Sequence, residues 1–271
     1  MLTVENVSKT FLPGTPNSRL ALNNVSLHLE ADDFVTVLGS NGAGKSTLFN
    51  AICGNFLTDT GQIVLDGIDI TNLPEHKRAK LIGCLFQDPL KGTAPSMTIE
   101  ENLSLAYLRG TRRGFGIGIK KRDIEFFKSI LTPLGMGLEN RLKTKIGTLS
   151  GGQRQAITLL MATIVTPKLL LLDEHTAALD PQTAKKVLSI TNTIVKKDHI
   201  CTMMITHNIK SALEIGNRTI MMDDGHIILD IKGRQREEMT VEKLLSLYSA
   251  ESKKGFDNDR ILLSTQKDRF S

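Results

Sequence analysis

An α/β fold with a mostly parallel sheet is predicted for this sequence, led by an N-terminal antiparallel β-subdomain and interrupted by an inserted helical subdomain. Three observations predict it. The opening third carries short apolar runs at 2–7, 21–29 and 34–38 separated by turn residues, the pattern of strands. The run at 34–38, Phe-Val-Thr-Val-Leu, leads through a glycine-rich turn into helical spacing at 45–53, giving strand, loop and helix in succession. Strand signals return at 169–172, 201–205, 218–222 and 227–231 with helical stretches between them, which is how a parallel sheet covered on both faces reads.

Between the first two strands, Pro13, Gly14, Pro16 and Asn17 mark a turn-rich excursion. Further strands are expected at 62–65 and 82–86, with a helical stretch at 74–80 between them. From about 88 to 147 the pattern is helical, notably at 99–108 and 120–131, and the glycine-rich, basic segment 109–118 reads as a loop joining them. A long helix is expected over 154–165. Asp223-Asp224-Gly225-His226 is a turn between two strands, and 241–249 forms a last helix. These elements are expected to make one domain over 1–250, with the helical insertion at about 88–165 and a charged, flexible tail at 251–271.

Composition narrows the possible classes. The 271 residues suit one large domain or two small ones, and 40% apolar with 23% charged residues exclude collagen-like, fibrous and disordered chains. No apolar run approaches the roughly 18 residues needed to cross a bilayer, so any membrane role requires another chain. The first residues lack a basic start followed by an apolar run, and a cytoplasmic location is expected. Cys53, Cys84 and Cys201 are widely spaced, without a CxxC or nearby His, and read as reduced, packed thiols. The net charge of +5 is scattered, there is no Trp and only two Tyr, so nucleic acid is not an expected partner. The excess charge reads as a solvated face with at most weak attraction to anionic headgroups.

The chemistry concentrates in two places. Gly39, Ser40, Asn41, Gly42, Ala43, Gly44, Lys45, Ser46 and Thr47 fit the phosphate-loop pattern in full, between an apolar strand and a helix start, which makes the expected core a P-loop NTPase. Glycines let the chain curl so that successive N–H groups converge on phosphate oxygens. The helix N-terminus adds positive potential, Lys45 neutralises charge between the β- and γ-phosphates, and Ser46 offers a hydroxyl to Mg²⁺. Four leucines followed by Asp173 and Glu174 form a buried strand ending in two carboxylates: Asp173 as a magnesium partner, Glu174 to orient and polarise an attacking water.

Leu149-Ser150-Gly151-Gly152-Gln153 precedes the long helical pattern and reads locally as a capping box, with Ser150 at the cap and Gln153 three residues on. A helix tip opened by two glycines is equally an anion site. Together with the phosphate loop and the paired carboxylates, this string resembles the signature of the ATP-binding-cassette (ABC) ATPase family. The resemblance implies ATP and Mg²⁺ as ligands, each ATP being held between the phosphate loop of one subunit and the signature of another, so that Ser150, Gly151 and Gly152 contact the γ-phosphate bound by a partner cassette. One cassette is present, so a second copy or a homologous cassette is implied.

Weaker features match the same family in the same order. Gln87 resembles the Q-loop glutamine that senses Mg²⁺ and the attacking water, and that marks where a membrane subunit docks. His207 resembles the switch histidine that contacts the γ-phosphate. Ala178-Leu179-Asp180 resembles the D-loop, with Asp180 facing the partner, although Asp180-Pro181 is also a good helix start. Phe11 stands where the family places an aromatic against adenine. His175 departs from the family pattern, in which Pro follows the catalytic Glu. A tolerated turn substitution is the preferred reading there, over an imidazole that hydrogen-bonds near the site or titrates near neutral pH.

The 105 residues from Lys45 to Ser150 leave no room for long coiled-coil arms, which favours transport among the family's roles. The resemblance thus implies an ATPase subunit at the cytoplasmic face of the cell membrane. It would drive an importer through integral membrane permease subunits, fed by an extracytoplasmic solute-binding protein, for an amino-acid-like solute. A multi-subunit exporter and a non-transport regulatory cassette are the alternatives, separable by co-purification with a permease.

Overall fold

The computed structural model describes residues 1–88, 90–109 and 119–252. Most of the expected 109–118 loop and nearly all of the expected C-terminal tail lie outside them. The chain divides into two compact units: Met1–Arg78 with the described residues from Cys201 onward, and Ala79–Ile200.

In the first unit β1 (Leu2–Phe11) pairs antiparallel with both β2 (Arg19–Leu29) and β4 (Thr60–Leu65), and β5 (Ile68–Asp69) extends the sheet from β4. Leu2 and Val4 face Leu29 and Leu27 on one side and Leu65 and Ile63 on the other, all buried, as period-two alternation requires. Both pairings shift register after this stretch, where Asn6 and Asn24 take φ of 50° and 51°, a region Asn tolerates better than most side chains.

The same unit holds β3 (Phe34–Gly39), buried along its whole length and paired in parallel with β8 (Cys201–Ile205) and β9 (Arg218–Asp223). β10 (His226–Lys232) returns antiparallel to β9 through Asp224 and Gly225, whose φ values of 44° and 79° make the two-residue turn expected from the sequence. α1 (Lys45–Cys53) follows β3, and α7 (Ile209–Ile215), α8 (Gly233–Glu237) and α9 (Val241–Glu251) complete the unit with the short α2 (Glu75–Arg78).

In the second unit β6 (Ile82–Leu85) and β7 (Leu169–Asp173) are parallel neighbours. Around a core that includes Ile99, Leu103, Phe127, Leu131, Ile157 and Leu160 stand α3 (Ile99–Tyr107), α4 (Lys121–Leu131) and α5 (Gly151–Thr163), with Ile190 and Ile194 of α6 (Pro181–Lys197) packed against it. α3 opens with a capping box: the Thr98 N–H donates to Glu101 Oε2 at 2.7 Å and the Glu101 N–H to Thr98 Oγ1 at 3.3 Å.

The sequence reading overstates helix before α5. Between Thr132 and Thr148 only single 3₁₀ turns form, at Thr132–Leu134, Leu138–Asn140 and Ile146–Thr148, because Pro133 and the left-handed Gly135 and Gly137 interrupt any longer run. α5 itself begins at Gly151, three residues earlier than its apolar spacing suggests. Among the described residues no helix is long and apolar enough to cross a membrane.

Candidate functional site

The phosphate loop belongs to the first unit. β3 runs into it at Gly39, where φ is 147° and an added Cβ would stand 2.3 Å from the Met222 carbonyl oxygen of β9, so only glycine fits. The loop then turns over Ser40 to Gly44 and releases α1 at Lys45. Gly44, at φ 101°, caps α1 without a side-chain hydrogen bond, and no acidic residue occupies the first turn. The N–H groups at that tip are therefore not answered by a capping side chain or an acidic one of their own helix.

Lys45 is buried, and its Nζ donates to the carbonyls of Gly39 at 2.8 Å and Ser40 at 2.9 Å, which lays the ammonium across the inside of its own loop. Asn41, Gly42 and Ser46 are exposed, Ala43 is buried and Thr47 half-buried. Arg19 braces the loop by donating from Nη2 to the Gly42 carbonyl at 2.8 Å, and the Gly225 N–H donates to the Ala43 carbonyl at 3.1 Å.

The far end of α1 is held by a residue that the sequence reading passed over. Arg78 is buried and donates from Nη1 to the carbonyls of Ala51 and Ile52, at 2.7 and 2.9 Å, and from Nε and Nη2 to those of Leu73 and Thr71. It closes the carbonyl end of the helix whose other end is the phosphate loop. A lone Arg in a short helix carries no sequence signal for this task.

Phe11 ends β1, partly exposed, and its ring meets Phe56 edge to face with centroids 5.2 Å apart. The Lys9 ammonium lies 5.9 Å from one centroid and 5.5 Å from the other while paired with Asp59 at 2.8 Å, so Phe11 is held by an aromatic and a cation. His207 is exposed in the link between β8 and Asn208, which caps α7 by accepting from the Ser211 N–H at 2.9 Å. Since Ile205 pairs with Val37, His207 leaves its strand level with the start of the phosphate loop.

The remaining expected residues lie in the second unit. Leu85 pairs with Leu172, so exposed Gln87 and half-buried Asp173 and Glu174 all leave the same end of the β6–β7 pair. Glu174 has φ of 44°, a left-handed backbone that costs a non-glycine residue about 1 kcal/mol and turns the chain sharply after the strand. The turn closes with the Ala177 N–H donating to the Glu174 carbonyl at 2.9 Å.

Asp180 caps α6, accepting from the Thr183 N–H at 3.1 Å with Pro181 next in line. Hydrogen bonds from the Thr183 side chain and backbone hold its carboxyl below the ordinary aspartate value. Ser150 and Gln153 form the expected capping box, the Gln153 N–H donating to Ser150 Oγ at 3.3 Å and the Ser150 N–H to Gln153 Oε1 at 3.4 Å. The signature also meets the turn carrying Asp180: Gly151 faces Leu179, and a Cβ on Gly152 would stand 2.1 Å from Thr183 Cγ2. A side chain at Gly152 would have to displace Thr183.

His175 lies in the turn after Glu174, as the preferred reading has it, but it is buried there, and its Nε2 lies 3.4 Å from Thr191 Oγ1. The Thr191 hydroxyl donates to the Val187 carbonyl at 2.9 Å, so His175 is assigned as the donor from Nε2, in its neutral form. Burial lowers its pKa from 6.5 to about 4, so it does not titrate near neutral pH. Between those two values the unfolded chain binds a proton that the folded chain refuses, so this site's contribution to stability declines as pH falls from 6.5 toward 4. The full loss is about 3 kcal/mol. Urea unfolding at pH 7 and pH 4.5 is expected to show a smaller acid loss for His175→Asn than for the unmodified chain; equal losses would contradict the assignment.

Comparisons with known proteins identify relatives of this chain. The profile of the family described as ABC transporter matches residues 22–177. A tyrosine transport ATP-binding protein of Clostridioides difficile is 44% identical over 253 residues, covering 92% of this chain and 98% of that protein. The xylose/arabinose import ATP-binding protein XylG of Sulfolobus acidocaldarius is 33% identical over 92% of this chain and 94% of its own length. Among solved structures, the dimeric post-hydrolysis state of the ATP-binding cassette MJ0796 bound to ADP and Pi superposes with a TM-score of 0.72 at 29% identity, covering 86% of this chain and 98% of that one. On the strength of the phosphate loop, the paired carboxylates, the capped signature helix and these matches, the chain belongs to the ABC transporter family, as an ATP-hydrolysing subunit.

Proposed function

We propose that this ATPase works as a dimer that encloses ATP and drives import of an amino acid such as tyrosine. It would do so through separate membrane permease subunits, at the cytoplasmic face of the membrane, with an extracytoplasmic binding protein delivering the solute. The observation that carries the solute class is the 44% identity to a tyrosine transport ATP-binding protein over nearly the full length of both chains. In this reading residues 1–250 act as one ATPase domain, with an insertion at about 88–165 that receives the permease beside Gln87, and 251–271 as its tail.

The residues take the following parts. Phe11 stacks on adenine. The loop from Gly39 to Thr47 and the tip of α1 surround the β- and γ-phosphates with N–H groups, and Lys45 neutralises charge between them. Oxygen donors are what Mg²⁺ prefers, and Ser46, Asp173 and Gln87 supply a hydroxyl, a carboxylate and an amide oxygen. When bound, the ion withdraws charge from those phosphates. Glu174, turned out of its strand by the left-handed backbone, orients water for in-line attack, and His207 contacts the γ-phosphate. Ser150, Gly151, Gly152 and Gln153 of one copy close over the phosphate held by the other, with Asp180 facing the partner.

Deleting the gene in its own host and measuring uptake of radiolabelled tyrosine tests the solute. Loss of saturable uptake, restored by the unmodified gene and not by the Lys45→Ala form, is expected. Uptake unchanged by the deletion, with a different solute captured by the co-purified complex, would contradict it.

A further inference from the structure

The last described helix packs against β3, the strand that leads into the phosphate loop. α9 is capped by Thr240, whose Oγ1 accepts from the Lys243 N–H at 3.3 Å, and it buries Leu244 and Tyr248 one turn apart on the same face. Both side chains join a cluster with Leu38 of β3, Ile209, Met221 and Ile231. Tyr248 reaches past that cluster to the polar end of the strands. Its hydroxyl donates to Oδ1 of Asp223, the last residue of β9, at 3.5 Å. The side chain and backbone of Ser40 act on the same hydroxyl, favouring its charged form. The register explains the meeting, because Gly39 pairs with Met222 and so brings Ser40 level with Asp223.

Ser40 thus stands between Tyr248 and Lys45, whose Nζ donates to its carbonyl at 2.9 Å. We propose that Tyr248 is a positioning residue for the phosphate loop: it ties Ser40 to the end of β9 and, through the Ser40 carbonyl, sets the place of the Lys45 ammonium. The C-terminal helix is then part of the nucleotide site although none of its residues touches nucleotide. Burial raises the Tyr248 pKa, which keeps the phenol protonated and able to donate and accept at once.

The inference rests on the nucleotide-site reading above, and the experiment separates the two. Titration calorimetry and steady-state ATPase assays compare the unmodified chain, Lys45→Ala, Tyr248→Phe, Ser40→Ala and the Tyr248→Phe/Ser40→Ala double variant. Phe keeps the ring that fills the cluster and removes only the hydroxyl. Tyr248→Phe is expected to raise Kd and KM for MgATP by about 3- to 10-fold, the scale of one or two net hydrogen bonds, with kcat within about twofold and Tm nearly unchanged. In the double variant the two effects are expected to be less than additive, because both remove the same contact. Unchanged Kd and KM, fully additive effects, or an affinity loss that merely follows a fall in Tm would overturn the proposal while leaving the site reading intact. Lys45→Ala binding MgATP as tightly as the unmodified chain would overturn both.

Discussion

Glu174→Gln is expected to keep MgATP binding within about twofold of the unmodified chain while lowering turnover by about 10²-fold or more, the usual scale for losing a positioned base. Gln has the size and branching of Glu and can adopt the same turn, which is set by backbone: φ of 44° at residue 174 and the Ala177 N–H bonded to the residue 174 carbonyl. What changes is the end group. A carboxylate accepts a proton from water and polarises it, whereas an amide oxygen only accepts a weak hydrogen bond and the adjacent NH₂ repels the water's hydrogens. Single-turnover hydrolysis by the variant at saturating ATP reads this directly, and a rate equal to that of the unmodified enzyme would remove Glu174 from the mechanism.

The second large effect belongs to Ser150. It is exposed at the tip of α5, where it accepts from the Gln153 N–H. Replacing it with Arg costs the cap, about 1 kcal/mol, which a folded domain of this size tolerates. The same change sets a long cation on a surface proposed to close over a partner's triphosphate. Ser150→Asp is the informative companion, since Asp caps a helix as well as Ser does but presents a negative charge to the phosphate. Both variants are expected to weaken ATP-driven association of the Glu174→Gln background by more than about tenfold, one by bulk and one by like-charge repulsion. Association lost with Arg and retained with Asp would mean that Ser150 acts as a helix cap alone.

The readable parts of this protein are those whose chemistry is local. The phosphate loop needs glycines, Lys and Ser at fixed spacing beside a strand and a helix, and the structure has β3, Gly39 at φ 147° and α1 in that order. The capping box at Ser150 and Gln153 likewise spans only four residues. The leucine run at 169–172 could only be buried, and its pairing with β6 follows from the neighbouring apolar strand.

Other features depend on chain segments far apart, where no short pattern marks them. Arg78 closes α1 from 26 and 27 residues away, and Tyr248 meets Asp223 25 residues back and Ser40 much further back. β5 pairs through two residues only and exposes Ile68, so it lacks the alternation that reveals a strand. His175 lies in a turn, as its place after Glu174 suggests; its burial arises from packing against α6, where Thr191 meets it.

The central claim is that nucleotide joins two copies of this chain. Static light scattering of the Glu174→Gln variant, with MgATP and separately with MgADP, measures it in one step. Twice the monomer mass with ATP, falling to the monomer mass with ADP or after adding Ser150→Arg, is the predicted result. Monomer mass at saturating ATP, from protein that binds the nucleotide and whose unmodified form hydrolyses it at a rate independent of protein concentration, would contradict the account.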